Sequence, residues 1–140
     1  MIMAKPTIYS VLKKASEMKT ENERIEFLRS QGNPTLFSIL GHMFDPRIEF
    51  RLPEGAPPYK PSEFDEPGLI YAEMRKFYIF VKGQSENITQ VKCEKIFVDM
   101  LEYVHPEDAK LLIAMKDKKS PFKTINLKLV QKTFPGLVPT

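Results

Sequence analysis

The chain has 140 residues and a mass of 16.2 kDa, with 21 Lys and Arg against 18 Asp and Glu for a net charge of +3. At 42% hydrophobic and 28% charged it has the composition of an ordinary globular domain, long enough to bury roughly two thirds of its unfolded surface. Cys93 is its one cysteine, which excludes an internal disulfide framework and a multi-cysteine zinc site. No apolar run approaches the ~20 residues of a membrane span, and the start MIMAKPTIYS holds no apolar signal core, so a reducing cytoplasm is the expected compartment.

The predicted elements are helical from the start. Thr7 caps a first helix in which Ile8, Val11, Leu12 and Ala15 fall at helical spacing. Thr20 with Glu23 is a capping-box pattern, opening a short helix that buries Ile25 and Leu28. Asn33-Pro34 puts a good N-cap before proline at the first helical position, followed by the stripe Leu36, Phe37, Leu40 and Phe44. Six of the 12 prolines then fall between Asp45 and Gly68, which forbids regular structure there. That segment also carries Ile48, Phe50, Leu52, Tyr59 and Phe64, so it is expected to be ordered and to lie across the surface of one domain spanning 1–140.

Beyond it, Ile70, Met74, Phe77, Tyr78 and Val81 predict a fourth helix that Gly83 ends. Thr89 to Val104 predicts a fifth, buried through Ile96, Phe97, Met100 and Leu101. Pro106 starts a sixth, with Glu107 and Asp108 in the first turn where the helix dipole favours anions. Asn126 caps a seventh, packed through Leu129, Val130 and Phe134 and closed by Pro135-Gly136. Period-two alternation is scarce. The expected fold is all-α, a single bundle of about six to seven helices with a long proline-rich connection at 45–67.

Catalytic readings find little to stand on. The six glycines are scattered, and GxGxxG and GxxxxGK[ST] are both absent. His42 and His105 sit in no metal-binding arrangement and read as a residue on a helix flank and one near a helix start. Lys92 and Lys95 flank Cys93 and would favour its thiolate, yet a lone helical cysteine also reads as a small apolar residue. No metal, no cofactor and no enzymatic activity are expected.

Charge distribution is more informative. Residues 109–140 hold seven lysines and one acid, for +6, while residues 1–108 sum to −3. Within the basic end, MKDKKSPFKTINLK joins two helices through a lysine-rich turn. Lysine heads there suit phosphate recognition, and equally suit a plain solvated face.

The same end, EDAKLLIAMKDKKSPFKTINLKLVQKTFPGLVP, resembles the N-terminal DNA-binding domain of the ATP-dependent DNA ligases of T-even phages. There a helix runs through a basic-Asp turn into another helix and closes on an aromatic-Pro-Gly-Leu ending, here Phe134-Pro135-Gly136-Leu137. YSVLKKASEMKTENERIEFL is similar to that domain's first two helices, and LPEGAPPYKP and MKDKK are shared with small uncharacterised proteins of T-even-like cyanophages. The resemblance implies an all-helical domain that grips duplex DNA through its backbone and minor groove without sequence preference. Carried over, Lys116 and Asp117 match the ligases' basic-Asp pair, and Thr124, Asn126 and Lys128 match the start of the next helix. The ligase turn holds a glycine; this chain has Ser120-Pro121-Phe122 and about one extra residue, so Lys118, Lys119 and Lys123 would have to supply the phosphate contact. The K-x-D-G motif that ligases adenylate is absent.

The resulting expectation is a phage-encoded, non-enzymatic DNA-binding protein acting in the host cytoplasm at the nucleoid, with phage replication or repair proteins or host proteins as further partners. Its contacts would be Lys116, Lys118, Lys119, Lys123, Thr124, Asn126, Lys128 and Lys132, or, failing these, Lys13, Lys14 or Arg75-Lys76. The alternative is an adaptor that binds a host or phage enzyme through residues 50–71, with Leu52, Tyr59 and Phe64 as anchors. That segment can equally fold back onto the core.

Overall fold

Helix caps set the frame. In the computed structural model, which describes residues 6–63 and 66–139, α1 spans Ile8–Ser16, α2 Glu21–Ser30, α3 Pro34–Phe44, α4 Leu69–Glu73, α5 Gln90–Tyr103, α6 Pro106–Lys116 and α7 Leu127–Thr133. The hydroxyls of Thr7, Thr20 and Thr89 and the amide oxygens of Asn33 and Asn126 each accept from the backbone N–H three residues on. Each satisfies an N–H that the helix itself leaves unpaired. At Thr20 the hydroxyl also donates to Glu23 Oε1 at 3.1 Å, joining the two residues of the expected box through their side chains. His105 caps α6 by a route its residue type does not advertise: Nδ1 accepts from Glu107 N at 3.0 Å, ahead of Pro106 at the first helical position.

The fourth predicted helix is corrected. It begins as α4, five residues long, and tightens into a seven-residue 3-10 helix over Met74–Phe80. With three residues per turn, Phe77 and Phe80 eclipse and are both buried, and Ile79 joins them. Tyr78, expected inside on an α-helical stripe, is therefore left 49% exposed. Antiparallel pairing of Phe50 with Val81 fastens the proline-rich segment to the end of this helix, with Arg51 N donating to Phe80 O at 2.7 Å and Lys82 N to Glu49 O at 2.8 Å.

α6 is the axis of the fold. It packs against α1, α3 and α5, while α2 joins α1 to α7. Because it has neighbours on several sides, Ala109, Leu111, Leu112 and Met115 are all fully buried. Phe77, Phe80 and Phe97 fill the core beside it, each contributing roughly 1.5–3 kcal/mol by leaving water. Phe80 meets Phe97 edge-on with ring centres 5.1 Å apart. Two charged residues are buried with α6: Asp108 in its first turn and Lys116 at its last position. No helix among the described residues is long and apolar enough to cross a membrane.

Candidate nucleic-acid interface and the proline strap

The lysine-rich turn divides into an inward and an outward set. α6 ends in a Schellman motif: Lys119 N donates to Ala114 O at 3.0 Å and Lys118 N to Met115 O at 3.1 Å. That motif needs a left-handed residue, and Lys118 occupies it at φ 59°. A glycine would sit there without the ~1 kcal/mol that a side chain costs. The lysine is retained with its ammonium turned inward, where Nζ donates to His42 O at 2.6 Å and Asp45 O at 2.7 Å, closing the C-terminal end of α3. Burial pushes the Lys118 ammonium below its ordinary pKa.

Lys116 is the more complete case. Its side chain is only 2% exposed, and Nζ donates to Pro53 O at 2.9 Å, to Gly55 O at 2.7 Å and to Asp117 Oδ1 at 2.5 Å. All three N–H groups are used. Asp117 in turn accepts the Gly55 N–H at 3.2 Å on each oxygen, and Lys119 pairs with Glu54 at 2.9 Å. Lys116, Asp117 and Lys119 thus hold Leu52-Pro53-Glu54-Gly55-Ala56, a strap laid across the surface, through Pro53, Glu54 and Gly55. Arg51 anchors the strap's start, its guanidinium donating to the carbonyls of Ser85 at 2.8 Å and Ile88 at 2.7 Å. Farther on, Lys60 N donates to Glu102 Oε2 at 2.7 Å.

The expected DNA contacts Lys116 and Lys118 thus face inward, onto backbone carbonyls. Lys116 has no N–H left for a phosphate, and Lys118 has two of its three committed. Lys119 is exposed but paired, and Lys132 is exposed but paired with Glu21 at 3.0 Å. Thr124 donates its hydroxyl to Ser16 O at 3.0 Å, and Asn126 commits its Oδ1 to the α7 cap. Lys123 and Lys128 are exposed and have no side-chain partner among the described residues.

The outward set extends onto α1. Tyr9 stacks against Phe122 with ring centres 5.2 Å apart, and Ser16 takes the Thr124 bond, so the 122–124 turn follows one stripe of α1. Lys13 lies between Tyr9 and Ser16 on that stripe by its i, i+4, i+7 spacing and is exposed. Lys13 and Lys123 therefore share a side of the molecule, and Lys128 is exposed in the first turn of α7.

The expected partner anchors fare differently. Leu52 and Tyr59 are half-buried and packed against the core, so the fold-back reading of the proline segment holds for them; Phe64 lies outside the described residues. Cys93 is fully buried, 3.5 Å from Ile79 O, and burial pushes its thiol up rather than toward thiolate. His42 binds Ser38 O through Nδ1 at 2.7 Å and meets Phe77 edge-on, with burial pushing its pKa down. Among the described residues no cluster of three or more His, Cys, Asp or Glu could hold a metal ion.

Sequence reasoning missed Arg51 and the buried role of Lys116. Neither carries a pattern signal, because both bond to backbone carbonyls far along the chain. Neither the curated proteins nor the solved structures contain a match to the chain. A family model does match, over residues 11–121, from within α1 through the strap into the lysine-rich turn, and the chain belongs to that family, the family of unknown function DUF6433.

Proposed function

We propose that this protein is a non-enzymatic DNA-binding module that grips the phosphate backbone of duplex DNA without sequence preference. The observation that carries the reading is the outward set Lys13, Lys123 and Lys128, exposed lysines with no side-chain partner among the described residues, in a chain whose last 32 residues sum to +6. The resemblance to the phage ligase DNA-binding domain supports the same reading, and with it a place on DNA in the cytoplasm of an infected host. If about four phosphates are engaged, log K falls against log salt with a slope near −3.6. Replacing Lys13, Lys123 and Lys128 by alanine then removes about 2.7 of that slope and weakens all sequences alike. A flat salt response in a fluorescence-anisotropy titration overturns the proposal.

A second reading, the protein-interaction adaptor, moves away from the strap. It is favoured by the exposed rings of Tyr78 and Tyr103, the latter beside a groove floored by Ile79, Ile96 and Met100. Capture of a single host or phage enzyme that is lost with Tyr103→Ala, in a chain that leaves duplex DNA unshifted, selects this reading over the first.

A further inference from the structure

Between the strap and α5 lies a cavity of about 330 Å³, within the size range of small-ligand sites. A loop crossing an apolar helix face ordinarily settles until side chains touch. This one is held at fixed points by Arg51, by the Lys116–Asp117 pair and by Glu102, and Pro53, Pro57 and Pro58 stiffen the span. The space beneath it is walled by Leu52, Pro57, Phe97 and Val98.

The polar groups at the cavity are acceptors with almost no donors to match. Prolines carry no N–H. Lys116, the one cation lining the cavity among the described residues, has spent all three donors and is charge-balanced by Asp117. Glu94 remains: its carboxylate takes one long hydrogen bond from Gln90 at 3.3 Å, and no cation stands within ion-pair distance among the described residues. The groove between the 3-10 helix and α5 differs, because Glu73 is paired with Lys76 at 3.0 Å and Asp99 with Lys95 at 2.9 Å.

We propose that the cavity under the strap binds a small organic cation, an ammonium or guanidinium on a short apolar stem, with the stem against Phe97 and Val98 and the charge on Glu94. An anion of the same shape would meet the carboxylate of Glu94 instead. The proposal is independent of DNA binding, since its ligand carries no phosphate.

The test is a two-dimensional amide NMR titration of the full chain with hexylammonium, hexanoate and acetyl-lysine amide. Hexylammonium should shift the amides of Gly55, Ala56 and Val98 with roughly millimolar affinity, while hexanoate leaves them still. Glu94→Gln should weaken the response roughly five- to tenfold. Val98→Phe should abolish it by filling the space, and the Glu94 variant decides if that chain fails to fold. A response to acetyl-lysine amide as well assigns the cation to a protein side chain; its absence assigns a free amine. Equal response to hexanoate, indifference to Glu94→Gln, or shifts confined to Ile79 and Tyr103 overturns the proposal, as does no response at about 50 mM.

Discussion

The two ends of α6 bury opposite charges and solve the problem differently. At the C-terminal end, Lys116 meets three acceptors with its three donors, one of them the adjoining Asp117. At the N-terminal end, Asp108 is fully buried, and its Oδ1 accepts from Tyr9 N at 3.0 Å, adding a second acceptor to the start of α1. Its Oδ2 has no hydrogen-bond partner among the described residues. Desolvation dominates there and raises the Asp108 carboxyl to about 6, against the Tyr9 and Ile8 backbone N–H groups, which lower it. Both charges have the sign the helix dipole favours at their end. What separates them is completeness of hydrogen bonding: a fully paired charge can serve as a structural pin, whereas a half-paired one is a reserve of pH sensitivity.

The largest effect should come from breaking the complete end. Lys116→Met leaves Pro53 O, Gly55 O and Asp117 without their donor and should cost about 3–5 kcal/mol in denaturant unfolding. Lys116→Arg should recover little of it, because a planar fork does not reproduce the three directions of an ammonium. A loss under about 1 kcal/mol for the Met variant would mean that the strap is not held from this side.

The incomplete end should respond in the opposite sense. Asp108 binds its proton more tightly in the folded chain, at about 6, than at the ordinary 3.8. Its contribution to stability is therefore fully present below pH ~4 and lost as pH rises through 6. Asp108→Asn keeps an acceptor for Tyr9 N and cannot ionise. It should stabilise the chain at pH 8 by up to about 3 kcal/mol and flatten thermal stability between pH 4 and 6. A variant less stable than the wild type at pH 8 would show that the charge on Asp108 stabilises α1 after all.

Smaller effects mark the boundary between the inward and outward lysines. Asn126→Ala should cost about 1 kcal/mol by uncapping α7, whatever its neighbours do. Lys123→Ala and Lys128→Ala should change unfolding by less than about 0.5 kcal/mol each, while each lowers the salt slope of DNA binding by about 0.9. Lys118→Gly tests the left-handed turn: relief of backbone strain is set against loss of the bonds to His42 O and Asp45 O, so no net stabilisation is expected in urea unfolding.

Local chemistry was the legible part of this chain. Five N-caps act as their residue types predict, since a cap is settled within three or four residues of itself. The one helix misread was the one where packing overrode period. Phe77 and Phe80 are both wanted in the core, and tightening to a 3-10 helix delivers them at the expense of Tyr78. The site was harder to read. Seven lysines in a row of elements look alike in sequence, yet Lys116 and Lys118 point inward because carbonyls 61 to 76 residues away need donors, and the chain carries no mark of those partners. The charge asymmetry marked one end of the chain, and tertiary bonding decided which of its lysines stay exposed.

That division can be read directly by limited acetylation of the native protein with an amine-reactive ester, followed by mass spectrometry of each lysine. Lys123 and Lys128 should react first, Lys119 after them, Lys118 more slowly, and Lys116 only on unfolding. Lys116 reacting as fast as Lys123 in the folded chain would contradict the account.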